Sequence, residues 1–182
     1  ITISCGGTEA LFSAIQAWVG PGDNAIVFDP AYDAYEPAVR LAGGSCRRLS
    51  LSPPDFRIDW QRVADCIDDR TRLVIFNNPH NPACTVAAPD DLDRMAEILR
   101  DRDCRVLADE VYEHVVFDGA RHQSVLAHDE LRKRSLAVFS FGKTLHVTGW
   151  RVGYCVATPT LTAEFRKVHK FNTFSIVAPL QF

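Results

Sequence analysis

Short apolar, β-branched runs alternate along this chain with stretches whose apolar residues return every three or four positions. The runs predict strands at 2–4, 24–28, 46–51, 72–76, 105–109, 135–140 and 152–157. Residues 8–19 read as a helix, with Leu11, Ile15 and Trp18 on one face and Gly20-Pro21-Gly22 ending it. A second helix is predicted from Tyr35 to Leu41, stopped by Gly43-Gly44, and Asp59 caps a third that runs through Ile67. The fourth, from about 90 to 102, turns Leu92, Met95, Ala96 and Leu99 inward, and a fifth covers about 160–171. This alternation predicts an α/β fold, a three-layer α/β/α arrangement around a mostly parallel seven-stranded sheet.

The unusual residues lie in the segments that follow strands. Gly6-Gly7-Thr8 follows the first, Pro30-Ala31-Tyr32 the second, and Asn77-Asn78-Pro79-His80-Asn81-Pro82 the fourth. Asp109-Glu110-Val111-Tyr112 follows the fifth, and Ser140-Phe141-Gly142-Lys143 ends the sixth. In a parallel sheet such segments gather at one edge, where α/β proteins bind ligands.

Each has a plain structural reading and a chemical one. Gly7 and Thr8 open a helix, whose free amides and dipole favour a phosphate; a simple turn with Thr8 as cap would look the same. Asn81 stands between two prolines that stiffen its loop, which suits a fixed hydrogen bond to a ligand as well as it suits a polar turn. Asp109 ends an apolar strand, so its carboxylate needs a cation or several donors, or else serves as a helix cap. Arg151 can grip a phosphate with its planar fork and Ser140 can add a hydroxyl. A lone lysine at a strand end is ordinarily a solvated charge. Gly142-Lys143-Thr144 imitates the end of a nucleotide-binding loop, but the glycine required five positions before Gly142 is Ala137, inside a strand. An amine beside an anion grip instead suits a phosphate-bearing cofactor held as a Schiff base.

Composition narrows the field. The 182 residues are 47% hydrophobic and 24% charged, with a net charge of −3, so one well-packed domain is expected and a nucleic-acid or anionic-membrane partner is not. No apolar run approaches a membrane span. Six scattered cysteines with no Cys-x-x-Cys pair predict free thiols in a reducing compartment, the cytoplasm. The six histidines form no close ligand pair, so no metal site is expected. A strand under way at Ile1 and an apolar stretch over 174–182 lead us to expect the middle of a larger protein.

The ordered set Gly7-Thr8, Tyr32, Asn78-Pro79-His80-Asn81-Pro82, Asp109-x-x-Tyr112 and Ser140-x-x-Lys143 with Arg151 resembles fold-type-I pyridoxal-phosphate aminotransferases of class I/II. The wording of 29–37 and 148–154 is similar to the methionine and kynurenine–oxoglutarate aminotransferase subgroup. The resemblance implies pyridoxal 5′-phosphate as cofactor, bound through Lys143, which also shuttles the substrate proton. It implies Asp109 on the pyridine nitrogen, Tyr112 and Asn81 on the ring oxygen, and Tyr32 on the ring face. The phosphate would be held by Gly7, Thr8, Ser140 and Arg151. It further implies amino acid and 2-oxo acid substrates, a homodimer, and a chain that is the central part of a large cofactor-binding domain, inactive alone without its N-terminal segment and small domain. One departure is visible: Ala83-Cys84 stand where the family usually has a small or hydroxyl residue and then glycine or alanine. Two other functions fit the same motifs. One is a carbon–sulfur β-lyase, although those relatives tend to carry histidine where Tyr112 stands. The other is a ligand-sensing domain of a regulator, which would need a basic helix-turn-helix module outside these residues.

Overall fold

The computed structural model describes residues 1–180; the end of the apolar stretch, 181 and 182, lies outside the described residues. Its strands are β1 (Thr2–Ser4), β2 (Asn24–Asp29), β3 (Ser45–Ser50), β4 (Thr71–Asn77), β5 (Arg105–Asp109), β6 (Ser135–Ser140) and β7 (Gly153–Ala157), each within one residue of its predicted bounds. They form one sheet in the order β1-β7-β6-β5-β4-β2-β3. The block from β3 to β6 is parallel, whereas β7 runs antiparallel to both of its neighbours, β6 and β1.

Alternation along the strands divides the core in two. Ala25, Val27, Leu73, Ile75, Leu107, Leu136 and Val138 face the helices α1 (Gly6–Trp18), α2 (Tyr35–Leu41) and α7 (Pro159–Asn172). Ile26, Phe28, Val74, Phe76, Val106, Ala108, Ala137 and Phe139 face α3 (Trp60–Cys66), α4 (Pro89–Leu99) and α5 (Asp129–Arg134). The central strands are buried on both faces, which is why they read as continuous apolar runs. The result is the expected three-layer α/β/α fold.

The helices depart from expectation at two boundaries and in two short elements that were not predicted. The first helix begins at Gly6, two residues before its predicted start, so Thr8 lies inside the first turn and is not the cap; position N-cap is Cys5. The fourth ends at Leu99, short of 102, because Arg134 donates to the carbonyls of Arg100, Arg102 and Cys104 and draws that backbone out toward β5. Sequence periodicity missed α5, which buries only Leu131, and the single turn α6 (Phe141–Thr144), which is too short for a period to show. Asp59 does cap α3, accepting from the amides of Gln61 and Arg62.

Candidate active site

All nine residues singled out from the sequence line one cavity of about 180 Å³ at the carboxyl edge of the sheet, together with Leu11, Asn77, Val111 and Thr148. A larger neighbouring cavity, about 830 Å³, shares Asn81 and Tyr112 with it and is walled by Val115, Val116 and Phe117.

The floor is Asp109. Pairing of β5 with β4 places it opposite Asn77, and the residue is 3% exposed. Burial pushes its carboxyl up to about 6, against the opposing pull of a hydrogen bond from the Tyr35 hydroxyl and of the Val111 amide. The Tyr35 bond is short, 2.6 Å to Oδ2, while the Val111 amide reaches Oδ1 at 3.4 Å. Asp109 thus makes the cap-like contact anticipated for a structural aspartate and is still aimed at the cavity.

One wall is the loop after β4. Asn77 orders it: its amide nitrogen donates to the Asp109 carbonyl at 2.9 Å, and its oxygen accepts from the Asn81 backbone amide at 2.7 Å. Burial lowers the pKa of His80, favouring the neutral ring, and its Nδ1 accepts from the Ala83 amide. Cys84 closes the turn in the left-handed region, φ 56°. That is the conformation glycine adopts without cost, so the departure from the family wording falls at a strained position and leaves Asn81 in place.

Lys143 stands on α6 directly after β6, and its Nζ lies 5.3 Å from the centre of the Tyr112 ring. Ser140 ends β6, buried, opposite Gly153 of β7. Because β7 is reversed, the chain returns to this same edge through Arg151, which adopts φ 54° and donates to the Thr148 carbonyl at 3.2 Å. Gly6 lies beneath the Arg151 guanidinium at φ +77°. Next to it, Gly7 and Thr8 expose first-turn amides that a helix cannot satisfy internally. Tyr32 crosses above, its hydroxyl 3.2 Å from Thr8 Oγ1 and its ring edge-on to Tyr35, with 5.6 Å between centres.

An amine, a buried carboxylate, an anion cradle and an aromatic cover are therefore brought together. Sequence reasoning left out four participants. Gly6 carried a signal in the paired glycines, and Asn77 and Thr148 lay within quoted motifs. Tyr35 could have been found only from its place three residues after Tyr32.

Residues 1–181 match the family described as aminotransferase class I and II. The chain belongs to that family. Methionine aminotransferase of Escherichia coli (strain K12) is 52% identical over 181 residues, 100% of this chain and 47% of that protein. The kynurenine–oxoglutarate transaminase of Dictyostelium discoideum is 30% identical, over 100% of this chain and 46% of its own length. A crystal structure of the Escherichia coli methionine aminotransferase superposes with a TM-score of 0.96 at 51% identity, covering 98% of this chain and 47% of that one. This class I and II aminotransferase chain thus spans about half the length of the curated relatives it matches. The cofactor of the family is pyridoxal 5′-phosphate.

Proposed function

We propose that the full-length protein is an aminotransferase that moves an amino group from an apolar amino acid, methionine or an aromatic one, to a 2-oxo acid. The observation that carries this reading is Lys143 and Asp109 lining one cavity with an anion cradle. Similarity to a methionine aminotransferase and to kynurenine–oxoglutarate transaminases supports the choice of donors.

The residues fit pyridoxal phosphate. A buried carboxylate calls for a cationic partner, and a β-carbon on Gly6 would fill the space that Arg151 occupies. When bound, the cofactor supplies an electron sink for the substrate α-carbon. Lys143 Nζ would be the amine that holds it, and the same amine would carry the proton that moves. Asp109 would accept from its pyridinium nitrogen, Tyr112 and Asn81 would donate to its ring oxygen, and Tyr32 would cover one ring face. The Gly7 and Thr8 amides, Ser140 Oγ and Arg151 would hold its phosphate.

We further read this chain as the central part of a large cofactor-binding domain, with an N-terminal segment and a small domain beyond it. The support is the half-length match to the relatives. A homodimer in the cytoplasm fits the family and the six free cysteines. Among the described residues no helix is long and apolar enough to cross a membrane.

The test is to purify the full-length gene product and screen amino donors against several 2-oxo acids. Turnover with methionine or aromatic donors is expected; cofactor bound without transamination of any donor would overturn the reading.

A further inference from the structure

We propose that Tyr35 is a positioning residue for Asp109, its buried hydroxyl holding that carboxylate ionised and aimed into the cavity. The inference rests on the cofactor-site reading above and names a group which that reading does not require.

Three observations support it. The hydroxyl donates to Asp109 Oδ2 at 2.6 Å, across 74 residues of sequence, from the first turn of α2 to the end of β5. Both groups are almost fully enclosed, at 2% and 3% exposed, so water does not replace that bond. The other carboxylate oxygen has only the longer Val111 contact, which leaves Tyr35 as the strong donor that orients the group. Tyr35 is the donor to the ionised carboxylate. Burial, then the adjacent Asp109 charge, hold the Tyr35 phenol well above its ordinary range, so the oxygen keeps its proton.

The surroundings supply no equivalent. Asp109 also feels Glu110 beside it, which disfavours its charge, and Lys143 from α6, which favours it. Tyr32 and Tyr112 face Tyr35. None of these is shown hydrogen-bonded to the carboxylate. Tyr35 also braces Tyr32, through the edge-on ring contact and a hydrogen bond from the Tyr35 backbone amide to the Tyr32 carbonyl at 3.3 Å. One short segment, 32–35, therefore sets both the ring cover and the carboxylate that would face the ring nitrogen.

The test uses the full-length protein freed of cofactor, with the Asp109 carboxyl followed by carbon NMR against pH. Tyr35→Phe should raise its titration by about one to two pH units, the weight of a hydrogen bond to a charged group. 3-Fluorotyrosine at position 35 keeps the shape and strengthens the donor, so it should lower the titration even if Tyr35→Phe folds poorly. With cofactor added, Tyr35→Phe should weaken pyridoxal-phosphate affinity at least about tenfold in wild-type background and leave it unchanged in Asp109→Asn. An Asp109 titration that moves with neither substitution, or an equal affinity loss in both backgrounds, would overturn the proposal. If the wild type binds no pyridoxal phosphate, the cofactor reading fails, and the titration still decides the role of Tyr35.

Discussion

Gly6 and Arg151 are in such close contact that a β-carbon at position 6 would lie 2.7 Å from Arg151 Nη2. The guanidinium can lie over the start of α1 only because no side chain grows there. Gly6→Ala should therefore strike twice. The backbone at φ +77° would be strained by about 1–2 kcal/mol, read as a lower melting temperature. The displaced Arg151 should weaken pyridoxal-phosphate binding by roughly tenfold or more, measured by equilibrium dialysis. A melting shift with unchanged affinity would separate backbone strain from the anion grip.

Cys84 predicts the opposite sign. It is an exposed residue in the left-handed region at φ 56°. Cys84→Gly should stabilise the protein by about 1 kcal/mol in chemical denaturation, reduced somewhat by the greater freedom of glycine in the unfolded chain. Activity should hold, because Asn81 is fixed through Asn77 rather than through the turn residue.

Asp109 makes stability depend on pH in the absence of cofactor. Its folded value, about 6, lies above the ordinary 3.8, so the folded state holds the proton more tightly than the unfolded chain does. That contribution is complete below about pH 4 and is lost as pH rises through 6. Asp109→Asn abolishes the titration. The cofactor-free variant should match the wild type at pH 4 and exceed it by up to about 3 kcal/mol at pH 7.5 in urea melts. Equal pH profiles for the two proteins would contradict the buried charge.

Lys143→Ala should reduce transamination by roughly a thousandfold or more, because proton transfer and cofactor attachment are lost together. Borohydride reduction of the wild type followed by peptide mapping should place the cofactor on the peptide containing Lys143. Label on another lysine would refute the assignment.

The strands were legible because β2, β4, β5 and β6 are buried on both faces and carry unbroken apolar runs through their middles. The residues that line the cavity were legible because their types are unusual at strand ends: an asparagine between prolines, a carboxylate after an apolar run, a lysine beside glycine. Tyr35 was not, because a tyrosine in the first turn of a helix reads as core until the Asp109 partner is known. Gly6 was half-visible, since its value lies in what Arg151 does 145 residues later. α5 stayed hidden for a different reason: charged residues in Asp129–Arg134 give no periodicity, and the helix is held by one buried leucine and the His128 cap. Pairwise contacts distant in sequence leave no local pattern to read.

The reversed seventh strand gives the proposed attachment lysine and the proposed phosphate-binding arginine a common mount. A parallel strand there would have delivered its leading residues to the far edge of the sheet, roughly 17–20 Å away. Instead the segment 144–152 leaves after Lys143 and carries Arg151 back to the same cavity, so both residues hang on one connection. An insertion of one residue in that connection would shift Lys143 and Arg151 relative to each other, and with them the proposed covalent anchoring and anion capture, while Asp109, carried by β5, kept its setting. The length of this connection is therefore a requirement on the chain in its own right.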